Sequence, residues 1–243
     1  NGSVKEESLV GIFRRISRQP VFFYMVAQGC FGAIPWDMMS FILLLLDWKN
    51  FSKEQIISLQ FTGGILGTVG AFLGGVLGDQ FAHLPNGRIG VALVSVLSGI
   101  LFYALFLFSE TYHYAILWQS LFYLTGGWTP AAALRPICAD LAQNQSERAQ
   151  VVAFWVLLEK TSSAVFGAPL VGFLTKRLFD ENFISTDEEK ARVLARNMFL
   201  LSTFFWGVCA YFFVLMGRAE RHRKAAQQEQ DKEKRYMAAG SNV

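Results

Sequence analysis

The sequence alternates between long apolar stretches and short polar segments, and this alternation is its clearest structural signal. A helix needs about 20 mostly apolar residues to cross the hydrocarbon core of a bilayer. Six stretches reach that length, near Val21–Leu46, Gln55–Gly78, Ile89–Ser109, Tyr114–Asp140, Gln150–Thr175 and Asn197–Gly217. Because unpaired backbone groups are unfavourable in lipid, each stretch is predicted to be a helix. We therefore predict an all-α fold, an integral membrane bundle of six helices spanning residues 21–217.

The alternative is a soluble protein whose core contains these helices. Helices of that kind carry polar residues on one face with a period of 3.6. The third and sixth stretches contain no charged residue at all, which argues against this alternative. Composition points the same way, since 53% of the 243 residues are hydrophobic and only 17% are charged, against about 25% charged in soluble proteins.

The segments flanking the bundle are polar and basic. Residues 1–20 are predicted to be a cytoplasmic linker in which Leu9–Pro20 forms an amphipathic helix on the membrane surface. Residues 218–243 are predicted to be a charged cytoplasmic tail, either helical or disordered. Lys and Arg are concentrated in these segments and in the alternate loops. Because an excess of positive charge marks the cytoplasmic side, both termini are expected to be cytoplasmic. A chain that starts at Asn1 without a signal peptide is expected to be a fragment or a cleavage product.

The cysteines and histidines predict no metal chemistry. Cys30, Cys138 and Cys209 lie within apolar stretches, without the spacing of metal ligands, and are typical of small buried side chains. The three histidines lie in predicted loops and in the tail. We therefore predict no metal site, no cofactor and no nucleic-acid partner.

The second stretch ends in an unusual way. Small residues recur along it at a spacing near four, which would let another helix approach closely; they are Gly63, Gly67, Ala71, Gly74 and Gly78. Asp79 follows at the helix end, where a carboxylate is unfavourable because that end carries partial negative charge. Asp79 should therefore face a cation or the N-terminus of another helix.

The segment Gly75–Asp79, followed by Gly87 and Arg88, resembles the loop signature of the major facilitator superfamily. The sequence departs from that signature because Gln80 replaces a basic residue and Phe81–Pro85 is inserted. The resemblance implies a gating role for Gly75, Asp79, Gly87 and Arg88. It implies that Asp79 faces the fifth helix of an N-terminal half; a local pairing with Arg88 or Arg148 is the alternative.

Other segments resemble the same family in order and spacing. Gln28 to Trp36 is similar to its seventh helix, particularly in spinster-like and related plant and protist members, and Gly167–Gly172 is similar to its eleventh. The resemblance implies one half of a major facilitator fold, helices seven to twelve, with a six-helix N-terminal half of the full-length chain as partner. It also implies that the third and sixth helices face lipid while the others line or adjoin a cavity.

Charged residues inside the predicted helices are the candidates for a transport path. Asp37 follows Pro35, which can break a helix, and broken helices near the midplane mark transporter sites. Glu159 and Lys160 lie in the middle of the fifth stretch, and adjacent residues on a helix point apart. The alternatives are contact of Asp37 with water or Lys49, and structural bridges for Glu159 and Lys160.

Further candidates surround these charges. Trp155, Glu159, Ser162, Ser163 and Phe166 are expected to share one helix face. Arg135 either snorkels to the interface or pairs with Glu159 or an anionic solute. The remaining, weaker candidates are Gln28, Trp36, Gln119 and Trp128.

These features favour a secondary transporter that moves a small organic solute by alternating access, with proton coupling through Asp37 and Glu159 as a hypothesis. Two alternatives stay open. An intramembrane aspartyl protease would use two aspartates such as Asp37 and Asp79, although the expected glycine stands as Val76. A membrane scaffold or receptor would carry the same helices without transport. We predict that the protein is not an enzyme.

Overall fold

The computed structural model describes residues 9–142, 144–182 and 186–240, and every regular element in those ranges is a helix. Residues 1–8 of the predicted linker and 241–243 of the predicted tail lie outside the described residues. The helices are α1 (Leu9–Ser17), α2 (Pro20–Met38), a 3-10 turn (Met39–Phe41), α3 (Ile42–Trp48), α4 (Lys53–Gln80), α5 (Gly87–Leu107), α6 (Tyr112–Gly126), a π-helical segment (Pro130–Leu134), α7 (Arg135–Leu141), α8 (Gln145–Phe166), α9 (Ala168–Asn182) and α10 (Asp187–Gly240).

Local signals in the sequence set several of these helix ends. Pro20 is the first residue of α2. At that position a backbone N–H would have no acceptor within the helix, so proline loses no hydrogen bond there. Ser52 and Gln55 form a reciprocal capping box that starts α4. The Asn144 side chain accepts a hydrogen bond from the backbone N–H of Glu147 and caps α8.

Five continuous helical stretches are long and apolar enough to cross a membrane, so the described chain is that of an integral membrane protein. They are Pro20–Trp48, Lys53–Gln80, Gly87–Leu107, Gln145–Phe179 and Asp187–Glu233. The fourth predicted span is the exception, because it is divided into α6, the π-helical segment and α7. Pro130 and Pro136 explain the division, since each lacks the N–H that a regular helix needs.

The last helix is much longer than the predicted sixth span. α10 starts at Asp187 and runs without a break to Gly240, a length of about 80 Å at 1.5 Å per residue. The apolar pattern detects only the part of a helix that contacts lipid or the protein core. It does not mark the polar turns that extend the helix at both ends.

The helices pack in a series. α8 packs on α2, α2 on α10, α10 on α5, α5 on α6 and α6 on α4. The two end members, α4 and α8, share no extensive direct contact, and they are bridged at one end of the bundle, where α7 packs on α8 and the π-helical segment packs on α4. Away from this bridge, the flank between α4 and α8 is not covered by another of the described helices.

Glycines seat α4 against α6 and the π-helical segment. The buried glycines of α4 are Gly63, Gly70, Gly74 and Gly78. A Cβ on Gly70 would lie 2.5 Å from the carbonyl oxygen of Leu124, and one on Gly78 would lie 2.6 Å from the backbone of Ala132. The prediction that Ala71 belongs to this stripe is wrong: Ala71 is exposed, because the contact face returns after seven residues, at Gly70.

Both end helices expose broad apolar faces. Apart from Leu59, the buried residues of α4 are its glycines. Its large apolar side chains point away from the bundle, and they include Ile57, Phe61, Ile65, Val69, Phe72 and Val76. α8 likewise exposes Val156, Leu157, Val165 and Phe166. Surfaces this apolar are stable only against lipid or another protein element.

Candidate functional site

An interior cavity of about 80 Å³ lies between α2, α5, α6, the π-helical segment, α8 and α10. Its polar lining comes from Gln28, Ser95, Thr129, Glu159 and Cys209. Its aromatic lining comes from Trp36, Phe122 and Trp206. The cavity therefore combines one carboxylate with neutral polar groups and aromatic rings.

A glycine notch on α2 seats the carboxylate of Glu159. A Cβ added to Gly29 would lie 3.1 Å from Oε2 of Glu159 and 2.9 Å from Nε1 of Trp155. The buried indole nitrogen of Trp155 has no hydrogen-bond partner among the described residues. Because Gly29 has no side chain, the carboxylate and the indole N–H can both approach the backbone of α2.

Hydrogen bonds fix the neutral polar groups around the cavity. Nε2 of Gln28 donates to the carbonyl of Met25 at 2.8 Å, and Oε1 of Gln28 accepts from Sγ of Cys209 at 3.6 Å. The Ser95 hydroxyl donates to the carbonyl of Thr125 at 2.6 Å and accepts from the backbone N–H of Trp128 at 3.2 Å. These partners hold the two side chains in fixed orientations.

The aromatic wall is a cluster of rings that touch one another. The Trp36 ring lies 5.4 Å from Phe122 and 6.3 Å from Trp206, measured between centroids. Tyr103 packs behind them, 5.3 Å from Phe122 and 5.4 Å from Trp206. The indole N–H of Trp206 donates to the carbonyl of Gly32 at 3.1 Å, which ties α10 to α2.

Three of the predicted transport-path residues, Gln28, Trp36 and Glu159, meet at this cavity. Trp155 and Ser163 are buried behind it on α8, and Ser163 donates to the carbonyl of Lys160 at 3.2 Å. Phe166, seven residues after Glu159 at the end of α8, is exposed and is not among the residues that line the cavity. The helix ends at Phe166, and Gly167 separates α8 from α9.

The other predicted charges lie away from the cavity. Lys160 and Arg135 are exposed, and neither makes an ion pair with Glu159 among the described residues. Asp37 is half-buried where α2 meets the α8–α9 junction, and a Cβ on Gly167 would lie 2.6 Å from its Cβ. Glu159 is thus the carboxylate that the fold places at the cavity.

Two weaker candidates belong to the interface between α4 and α6. Gln119 is buried there, and its Nε2 donates to the carbonyl of Leu59 at 3.3 Å. Trp128 packs against Gly74, and its indole N–H donates to the carbonyl of Leu124 at 2.7 Å. Neither lines the cavity.

The residues of the predicted gating loop lie at the end of the bundle that also holds α1 and the tail part of α10. Nη2 of Arg88 donates to Oδ1 of Asp79 at 2.8 Å. Of the partners considered from sequence, Arg88 is therefore the one that Asp79 contacts within this chain. The Asp79 side chain is still 74% exposed. Gly87 is required for the turn, since a Cβ there would lie 1.7 Å from the carbonyl oxygen of Phe81.

Two buried carboxylates at this tail end are paired with arginines. Glu147, 3% exposed, accepts a hydrogen bond from Nη2 of Arg15 and so joins α8 to α1. Glu220, 4% exposed, receives two 2.9 Å hydrogen bonds from Arg223. Arg223 also donates to the carbonyl of Asp140 at 3.1 Å, which links α10 to α7.

At the opposite end of the bundle, Lys49 caps α5. Its Nζ donates to the carbonyls of Leu107 and Ser109, each at 2.7 Å. Burial lowers the pKa of Lys49 to about 8, although the nearby Glu110 acts in the other direction. The pairing of Lys49 with Asp37 that the sequence left open is not present among the described contacts.

Several cavity residues escaped the sequence analysis. Ser95 lies on α5, and Trp206 and Cys209 lie on α10. These helices contain the charge-free third and sixth predicted stretches, which were expected to face lipid. They do expose large apolar residues, among them Val94, Leu97, Leu200 and Phe204. Each also has an inward face, and small or polar residues within an apolar stretch are the signal that could have identified it.

No protein-family model and no curated protein matches the sequence. Among solved structures, the fold matches a crystal structure of a bacterial homologue of the human lysosomal transporter Spinster, in an inward-facing and unoccupied conformation. The match has a TM-score of 0.72 and 18% identity, and it covers 90% of this chain. The chain spans about half of that protein, 52% of its length. The resemblance to one half of a major facilitator transporter is therefore confirmed for the fold.

Proposed function

We propose that this chain is the C-terminal half of a secondary transporter that moves a small organic solute by alternating access. The observation that carries the proposal is an interior cavity whose one charged lining residue, Glu159, is a carboxylate without a paired cation among the described residues. Charged groups within a membrane are unfavourable and mark functional sites by default. The fold match to a transporter supports the same conclusion.

The partner in this proposal is a six-helix N-terminal half of the full-length chain. The open flank between α4 and α8 is the surface that it would cover, and the apolar faces of these two helices support this. Asp79 remains largely exposed after pairing with Arg88, so it can also contact the second half. Both termini would lie in the cytoplasm, where the arginines of α1 and the tail are favourable.

Proton coupling through Glu159 is the finer part of the proposal. A carboxylate seated against the backbone of α2, next to the indole N–H of Trp155, can alternate between a neutral and a charged form. Asp37, near the α8–α9 junction, would respond to the same movement of α8 against α2. The energy would then come from the proton gradient across the membrane.

The test is uptake of a panel of labelled small solutes into proteoliposomes that contain the full-length protein, with and without a pH gradient. We expect one class of solute to accumulate when the gradient is present, and Glu159→Gln to remove this gradient-driven uptake. Glu188→Gln is the matched control, because the Glu188 side chain is 83% exposed and far along α10 from the cavity.

Uptake that is the same with and without the pH gradient, and that is unchanged in Glu159→Gln, would refute proton coupling. No solute-specific flux at all would favour a membrane scaffold or receptor instead. The aspartyl protease alternative has lost its geometric support, because Asp79 is paired with Arg88 at the bundle end while Asp37 packs at the α8–α9 junction.

A further inference from the structure

The charge of the cavity restricts what it can bind. Glu159 is the charged residue that lines it, and the other polar lining groups are neutral. The two nearby cations predicted to serve this site, Lys160 and Arg135, are both exposed and do not line the cavity. An anionic ligand would therefore meet a carboxylate with no compensating cation, whereas a cation would neutralise it.

The aromatic wall adds a second reason to favour a cation. Trp36, Phe122 and Trp206 line the same cavity as the carboxylate. The face of an aromatic ring attracts an ammonium group within about 6 Å of its centroid, and Trp attracts it most strongly. A carboxylate facing indole rings is the arrangement that recognises alkylated ammonium groups, which are too weakly hydrated to require a full set of hydrogen bonds.

We infer that the cavity binds the ammonium group of a small organic cation, between the Glu159 carboxylate and the rings of Trp36 and Trp206. The inference rests on the proposed function and names its substrate class. The volume of about 80 Å³ fits a small ammonium group such as a methylated one, while the rest of the solute would extend out of the cavity.

A proton and the cation compete for the same carboxylate in this arrangement. When the ammonium enters, the proton of Glu159 leaves to water, and the site is neutral in both states. The titratable groups that interact electrostatically with Glu159 are Cys30 and Asp37 of α2, Cys209 of α10 and the exposed Lys160 of its own helix. Such a site exchanges an organic cation for a proton, so transport would be antiport.

The experiment measures equilibrium binding of radiolabelled methylammonium, trimethylammonium and tetramethylammonium to the purified full-length protein. We expect saturable binding that weakens at least tenfold on lowering the pH until Glu159 is protonated. Unlabelled tert-butanol, a neutral molecule of similar shape, and acetate should not compete. Glu159→Gln should reduce affinity at least tenfold and abolish its pH dependence, and Trp36→Leu should reduce it severalfold. Glu188→Gln is expected to bind as the wild type.

Equal competition by tert-butanol, or binding of acetate in preference to the ammonium ions, would overturn the inference even if Glu159→Gln fails to fold. Gradient-driven flux of a neutral or anionic solute without ammonium binding would overturn it and leave the proposed transport intact. Ammonium binding without any flux would support the site and refute the proposed function.

Discussion

Carboxylates at the tail end of the bundle and in its interior have opposite surroundings. At the tail end, Glu147 is paired with Arg15, and Glu220 is paired with Arg223. In the interior, Glu159 faces a cavity, and the nearest residue of opposite charge along its helix, Lys160, points outward. The first arrangement joins helices to one another, and the second leaves a charge available to a ligand.

A paired and an unpaired carboxylate can be told apart by what happens when the charge or its partner is removed. Removing one partner of a buried ion pair leaves an uncompensated charge and is strongly destabilising. Removing a charge that has no partner relieves its desolvation cost instead. Substitutions in the two regions should therefore have opposite effects on stability, and the experiments below test the contrast.

The largest effect on stability is expected from Arg15→Ala. The substitution leaves the Glu147 carboxylate buried without its arginine, at a cost of about 3 kcal/mol. Denaturant unfolding of the purified protein measures the change. Arg14→Ala is the control, because Arg14 is an exposed residue of the same helix. If the two variants unfold alike, the pairing at the tail end contributes nothing and the contrast fails.

A somewhat smaller loss is expected from Gly70→Ala, which tests whether α4 is held by glycine contacts alone. The new methyl group would lie 2.5 Å from a backbone oxygen that cannot rotate away, so α4 must shift, at about 1–3 kcal/mol.

Gly64→Ala provides the matched control for this substitution. Outside its own stretch of helix, no atom of the described residues lies within 4 Å of its Cβ position, and alanine favours a helix over glycine by about 0.5–1 kcal/mol. The control should therefore be neutral or stabilising in the same thermal unfolding assay. A stable Gly70→Ala would show that α4 is not closely seated on α6.

Asp79→Asn should change stability by less than about 1 kcal/mol, since an exposed ion pair contributes little. If Asp79 acts in gating, solute uptake falls nonetheless. The measurement is uptake and unfolding on the same preparation, with Arg88→Gln as the partner variant. Equal uptake in both variants and the wild type would remove the gating role.

The smallest effect is a pH dependence from Lys49. Its pKa of about 8 lies below the ordinary value near 10.5, so the unfolded chain binds more protons than the folded chain between these values. The contribution of this group to stability therefore rises with pH across that window. The melting temperature of the wild type should gain on that of Lys49→Met from pH 8 to pH 10. A wild-type melting temperature that falls relative to that of Lys49→Met over this pH range would contradict the burial of Lys49.

The apolar pattern predicted most of the fold because bilayer thickness sets helix length directly. It could not place the break at Pro130, because a proline can equally kink a helix or start one. It also placed Ala71 in the glycine stripe. A spacing of four residues leads from Gly63 through Gly67 to Ala71, whereas the contact face of the helix returns seven residues after Gly63, at Gly70.

The apolar pattern did not mark the polar ends of α10, because it reports only continuous apolar length. The end before Asn197 still buries Ala191, Leu194 and Ala195, and the tail, predicted to be helical or disordered, buries Glu220.

The candidate site was only half predictable for a different reason. Glu159 and Gln28 were found because polar side chains are rare in apolar stretches. Ser95, Trp206 and Cys209 were missed because the third and sixth predicted stretches carry no charge, and an uncharged stretch can still turn one face inward. Lys160 and Arg135 were included because sequence spacing does not fix which way a side chain leaves the bundle.

The most direct test of the central claim is a paired measurement on Glu159→Gln: stability and solute uptake of the same reconstituted protein. We expect stability to be unchanged or higher while gradient-driven uptake is lost, because the carboxylate serves a ligand and has no paired cation among the described residues. A loss of stability like that of Arg15→Ala, with uptake retained, would contradict it and make Glu159 a structural residue like Glu147.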